Sequence, residues 1–264
     1  MLSRLSPARR RFVLGLVGLL VVAVLAVTAA ILLRTRPAGA PDQSRPGPVL
    51  LVPGYGGSEQ SLVPLAAALR AAGRDVTVVA LPDRALGDLD VQAQALGSAV
   101  AAARDRTGAP SVDLVGYSAG GIVARLWVTE GGGSSVTRRL VTLGSPHHGT
   151  EIAALGTVVS GTCPTACQQL APDSSVLARL GSEALPSGVV LLSLWSTSDD
   201  VVLPPSSAVI AGVPSPSLQS ICPTSTVRHG GLPGDRLVQT VITEALGPGA
   251  LPSWTTADCA RLSS

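Results

Sequence analysis

Short, almost uninterrupted apolar runs alternate along this chain with longer Ala- and Leu-rich stretches. The runs are PVLLVPG (48–54), DVTVVAL (75–81), VDLVG (112–116), RRLVTLG (138–144) and GVVLLSLW (188–195). They are too brief for buried helices, and their lack of polar alternation is what a strand shows when both faces of its sheet are covered. The stretches 61–73, 91–108, 119–130 and 234–247 are long enough for helices, the last with helical periodicity closing at Gly247. Strand followed by helix, repeated, predicts an α/β domain with a mostly parallel sheet and helices on both faces. The Pro- and Ser-rich segment ahead of 188 is placed to cap the sheet's C-terminal edge. After Trp195 come a polar loop, STSDDVVLPP, and a weak apolar stretch, SAVIAGV. No internal repeat is visible.

The N-terminus follows another pattern. Arg4 and Arg9–Arg11 precede 22 uncharged, mostly apolar residues, Phe12–Leu33, and Arg34 and Arg36 follow. That length suffices to cross a bilayer as a helix. It exceeds the apolar core of a secretory signal, and the small-residue box Ala38-Gly39-Ala40 lies several residues beyond it with Pro41 next. The expectation is an uncleaved single-pass anchor over 12–33 after a cytoplasmic 1–11, oriented by the arginine excess before the span. Residues 34–47, RTRPAGAPDQSRPG, read as an extended linker, and 48–264 as one extracytoplasmic domain held at the cell membrane. Secretion after cleavage is the alternative.

Composition sharpens this picture modestly. With 264 residues there is room for one sizeable domain plus appendages. The 19 basic residues, all arginine, face 17 acidic ones, so charge gives no reason to propose nucleic acid as a partner. Aromatic residues are scarce, which leaves the core to aliphatic side chains. The four cysteines, Cys163, Cys167, Cys222 and Cys259, lie in the C-terminal half and fit two disulfides in an oxidising compartment. Three pairings are open; Cys163–Cys167 with Cys222–Cys259 is preferred, closing the CPTAC loop and tying down the tail. Four reduced thiols are the alternative.

Ligands of a doubly wound sheet bind beyond the carboxyl ends of its strands, so the strand-to-helix turns are where chemistry is expected. One holds Gly116-Tyr117-Ser118-Ala119-Gly120, a G-x-S-x-G sequence between an apolar run and a helical stretch. A serine hydroxyl is a poor nucleophile unless a base lies within hydrogen-bond reach and a third group orients that base. Of three histidines, only His229, in VRHGGLPGD, leaves room along the chain for a strand followed by an acid between it and Ser118. Asp199 and Asp200, after GVVLLSLW, are the acids so placed. His147 and His148 either line the site or bond loop backbone near Pro146, the latter being the preferred reading. Asp88 either faces the cleft or caps the helix beginning near Asp90. An oxyanion hole would draw on the backbone amides of Ala119 and of Tyr55, in the glycine loop LLVPGYGGS. No His or Cys spacing suits a zinc site, and no organic cofactor is required; calcium stays open.

Together, LLVPGYGGS, GYSAGG, GSPHHGT, STSDDVV and RHGG resemble the bacterial triacylglycerol lipase/esterase family of the α/β-hydrolase fold, over roughly residues 48–247. In that family an acid stands three residues before a valine, which implies Asp199, with Val202, rather than Asp200. The resemblance implies Ser118 as nucleophile, His229 as base and a carboxylic ester, such as a lipid acyl ester, as substrate; the chain is expected to act as a monomer. This chain departs in having Pro53-Gly54 where many relatives have His-Gly, and little segment is left for a lid. The same fold also hosts acyltransferases and thioesterases; a non-catalytic envelope scaffold is the reading from another class.

Overall fold

The structure is a computed structural model that describes residues 15, 19–22, 40–153 and 162–264. It comprises two units, Met1–Gly39 and Ala40–Ser264. In the first, residues 15 and 19–22 are helical, and the rest of the expected anchor, 12–33, lies outside the described residues. Among the described residues no helix is long and apolar enough to cross a membrane.

In the second unit, five parallel strands form one sheet: β1 (Val49–Val52), β2 (Val76–Val78), β3 (Val112–Tyr117), β4 (Thr137–Leu143) and β5 (Val190–Leu194), in the order β2-β1-β3-β4-β5. All five fall on the apolar runs. Because side chains alternate along a strand, each run feeds two cores. Leu50, Val52, Leu114 and Leu140 meet α2 (Leu89–Thr107) and α3 (Ala119–Thr129) on one face. Val49, Leu51, Val115, Val141 and Leu192 meet α1 (Val63–Ala71) and the closing helix, Arg236–Ala245, on the other. Asp88 N-caps α2, its carboxylate accepting from the amides of Asp90 and Val91. The segment ahead of β5 carries α4 (Thr165–Gln169) and α5 (Ser175–Ser182), while 154–161 lie outside the described residues. SAVIAGV forms no strand; a 3-10 turn, Pro205–Ala208, enters it.

Both disulfides adopt the preferred pairing, Cys163–Cys167 and Cys222–Cys259. The linker needs correcting at its end. Gln43 donates to the carbonyls of Arg138 (3.1 Å) and Gly188 (3.0 Å), and its own carbonyl accepts from Gly249 N–H and from Arg138. Residues 40–47 are thus docked on the base of the sheet. What holds that base is a buried charge cluster: Asp113, fully buried, accepts from Arg138 Nε (2.9 Å) and Nη2 (2.6 Å) and from Arg74 Nη2 (2.5 Å). The same two arginines collect the carbonyls of Gly47, Leu246 and Gly247, and Arg139 takes those of Ala245 and Gly249. These pairings give each of the three guanidinium groups carbonyl or carboxylate partners, leaving Arg139 Nε unpartnered, and close the end of the sheet opposite the strand C-termini.

Candidate active site

Ser118 stands between β3 and α3 with φ 54° and ψ −128°, a conformation L residues rarely adopt and one that costs about 1–3 kcal/mol. The surrounding packing enforces it. A Cβ at Gly116 would lie 2.5 Å from Gly121 Cα, and one at Gly120 would lie 2.3 Å from Val52 O. The glycines therefore let α3 start hard against β1 and β3, with the serine at the apex. Its amide donates to Leu143 O at 2.8 Å, fixing the turn to the end of β4.

His229 Nε2 lies 3.0 Å from Ser118 Oγ, and its Nδ1 lies 2.8 Å from Asp199 Oδ2. A carboxylate accepts hydrogen bonds, so Asp199 holds the proton on Nδ1 and leaves Nε2 as the acceptor facing the serine. The other oxygen, Oδ1, accepts from the amides of Val201 (2.9 Å) and Val202 (2.8 Å). That is the physical content of an acid three residues before a valine: Val202 N–H fixes the carboxylate. Asp199 and His229 are both buried. Asp200 does something else, accepting from the His229 backbone amide at 3.3 Å and pairing with exposed Arg228.

Two residues that sequence reasoning passed over complete the setting. Tyr117 donates its hydroxyl to His229 O at 3.1 Å, and its ring lies 5.1 Å from the imidazole. Burial first, then the charges of Asp199 and Asp200, push its phenol up to about 12. Gly144, at φ 56°, lets the loops close here: a Cβ would come within 2.6 Å of Leu232 Cδ1 and would also crowd Asp199 Oδ2 at 3.3 Å and His229 Nδ1 at 3.4 Å. A small residue between the pentapeptide and the histidine pair was the available signal.

The β1 loop reaches the serine directly. A Cβ on Gly54 would lie 2.8 Å from Ser118 Cβ, so Tyr55, the next residue, flanks the hydroxyl and is half-exposed. Ala119 is the first residue of α3, where helical amides have no intrahelical acceptor and the helix dipole is positive. His147 and His148 are turned away. Buried His147 contacts Thr142 Oγ1 through Nε2 (3.0 Å), and burial together with the Arg125 charge holds its pKa well below the ordinary 6.5. Exposed His148 contacts Val209 O. Among the described residues no group of three or more His, Cys, Asp or Glu could hold a metal ion.

Beside Ser118 opens a cavity of about 230 Å³, walled chiefly by Pro146, Thr150, Leu170 and Val202, with Tyr55, Ile152 and Val201 at its mouth. A buried hydrogen-bond relay, a serine on a strained turn and an apolar cavity thus meet at the carboxyl end of the sheet, beyond its central strand. The arrangement can activate a hydroxyl for attack on an acyl carbon.

Comparison with known proteins gives the architecture its relatives. Among curated proteins, none matches this sequence. Among solved structures, lipase B of Aspergillus fumigatus is similar with a TM-score of 0.67 and 20% identity, over 83% of this chain and 56% of that one. The Bacillus licheniformis lipase BlEst2 in its propeptide form gives 0.67 and 19%, over 83% and 54%. The metagenome-derived lipolytic enzymes LipS and LipT give 0.53 and 17%, over 72% and 87%. This chain spans little more than half the length of the first two. At such identities the likeness is one of fold, the α/β hydrolase fold of lipases and esterases, and since it takes in an Aspergillus enzyme it does not single out bacterial relatives. The profile of the PGAP1-like alpha/beta domain matches residues 87–242, more than half of the chain and all of β3 through the turn bearing His229. The chain belongs to the PGAP1-like alpha/beta domain family.

Proposed function

We propose that this α/β hydrolase cleaves carboxylic esters through an acyl-enzyme on Ser118. The observation that carries the reading is the unbroken relay Asp199–His229–Ser118, with hydrogen bonds of 2.8 and 3.0 Å, ending on the strained serine. Ser118 Oγ attacks the ester carbonyl carbon while its proton passes to His229 Nε2. The C–O bond to the alcohol breaks, and the alcohol leaves with that proton. Water then adds to the acyl carbon, giving a proton to Nε2. As the acid departs, Ser118 Oγ takes the proton back. Asp199 keeps Nδ1 protonated throughout, and the amides of Tyr55 and Ala119 stabilise the oxyanion in both halves.

The disulfides support an extracytoplasmic site of action, since such bonds persist in oxidising compartments. We propose residues 12–33 as the anchor that holds the domain at the membrane. The activity is tested with the full chain on p-nitrophenyl esters, comparing wild type with Ser118→Ala. Hydrolysis that falls by about 10⁴-fold or more in the variant supports the reading; equal hydrolysis by both proteins refutes it.

A further inference from the structure

The ester-hydrolase reading leaves the acyl group open, and the cavity beside Ser118 narrows it. Among the described residues its buried walls are Pro146, Leu170 and Val202 with Thr150, whose Oγ1 is already spent: it donates to Val201 O (2.8 Å) and accepts from Leu203 N–H (3.0 Å). Walls so composed, among the described residues, suit an aliphatic chain and penalise a charged or hydroxylated one. His229 lies outside this wall. The leaving alcohol must face His229 Nε2 to collect its proton, which leaves the cavity to the acyl side of the ester.

The walls are also tied to one another. Thr150 N–H donates to Leu170 O at 3.0 Å, joining the loop after β4 to α4, and the Thr150 hydroxyl joins the same loop to 201–203. On the far side the sulfurs of Cys163 and Cys167 pack against Ala153 O at 3.9 and 3.8 Å, so the disulfide braces α4 against the segment carrying Ile152 and Ala153. A cavity cross-braced in this way is pre-formed and resists widening. Its 230 Å³, at roughly 30 Å³ for a methylene or a water molecule, holds about seven or eight carbons.

Resting on the ester-hydrolase reading, we infer that this cavity is an acyl-chain site selective for medium-chain acyl groups of about six to eight carbons. Among the described residues, Leu170, Ala153 and the disulfide-braced turn of Cys167 bound its far end. Each methylene that finds room raises kcat/KM about threefold to fourfold, and carbons beyond the limit must stay in water or break the ties across the cavity.

The test is the kcat/KM profile of the full chain on p-nitrophenyl acetate, butyrate, hexanoate, octanoate, dodecanoate and hexadecanoate, each below its solubility limit. The expected profile rises from acetate to a maximum at hexanoate or octanoate and falls about tenfold or more by dodecanoate. Ala153→Phe, which fills the cavity, lowers the octanoate-to-acetate ratio about tenfold or more. Leu170→Ala, which deepens it, raises the dodecanoate-to-octanoate ratio about fivefold. Should Leu170→Ala fail to fold, Ala153→Phe decides alone. A maximum at acetate, or at dodecanoate or beyond, overturns the inference and leaves the ester-hydrolase reading intact, as does an unchanged octanoate-to-acetate ratio in Ala153→Phe. Absence of hydrolysis with every ester overturns that reading and the inference with it.

Discussion

Asp199→Asn probes the relay at its least redundant point. Asp199 Oδ1 accepts from two backbone amides, at 2.9 and 2.8 Å. An asparagine therefore keeps its carbonyl oxygen there, because the reverse orientation would set its NH₂ against two N–H donors. The NH₂ then falls where Oδ2 stood, 2.8 Å from His229 Nδ1. A donor at that place makes Nδ1 the acceptor and moves the ring proton to Nε2, which then points a hydrogen at Ser118 Oγ and cannot take its proton. Size and the backbone bonds are conserved, so the fold survives while the base is held in the wrong tautomer. The cost is about 10⁴-fold in kcat, equal to about 5.5 kcal/mol in the barrier. Asp200→Asn removes only a 3.3 Å contact to a backbone amide and an exposed pairing with Arg228, and should cost less than about tenfold. Steady-state hydrolysis of one soluble ester, with circular dichroism to check folding, measures both. Activity of Asp199→Asn within tenfold of wild type, or a larger loss in Asp200→Asn, would show that Asp199 does not set the tautomer of His229.

Other consequences can be checked in the same preparations. Replacing Ser118 by glycine relieves the φ of 54° and should raise the unfolding free energy in urea by about 1 kcal/mol while abolishing hydrolysis; a less stable variant would mean that the turn is not strained. Asp113→Asn leaves the guanidinium groups of Arg74 and Arg138 without their carboxylate and should lower stability by about 3–5 kcal/mol in the same titration. Buried His147 folds neutral, its pKa held well below 6.5, so below that pH the unfolded chain binds the extra proton. Its contribution is present above pH 6.5 and is lost as pH falls toward the folded pKa. Between pH 7 and 5.5 the wild type should lose about 1 kcal/mol more than His147→Gln; equal losses would show that His147 does not bear the linkage.

What the sequence conveyed depended on how local each signal was. Strands and long helices were legible because a short apolar run and an Ala-rich stretch declare themselves within a few residues, as VDLVG and 119–130 do. Ser118 was legible because the close approaches that demand Gly116 and Gly120 are made within the same turn or to the adjoining strand. Features built from distant partners were not. The Arg138–Arg139 pair opening β4 gives no sign that Asp113 and the end of the closing helix will receive it, nor does PDQSRPG show that Gln43 will bind Arg138 O and Gly188 O. Composition alone therefore read residues 40–47 as a tether. Choosing between Asp199 and Asp200 needed a family register, whose cause is the hydrogen bond from Val202 N–H. Tyr117 escaped notice because it occupies a variable place in the pentapeptide, and its bond to His229 O exists only once the last loop has folded back.

Covalent trapping reports whether Ser118 bears a hydroxyl activated by His229 and Asp199. The full chain is treated with a fluorophosphonate, and the site of the adduct is mapped by peptide mass spectrometry. One phosphonyl group per chain is expected, on Ser118 alone, with labelling slowed by about 10³-fold or more in His229→Ala. Labelling on another residue, or labelling of Ser118 at an undiminished rate without His229, would contradict it.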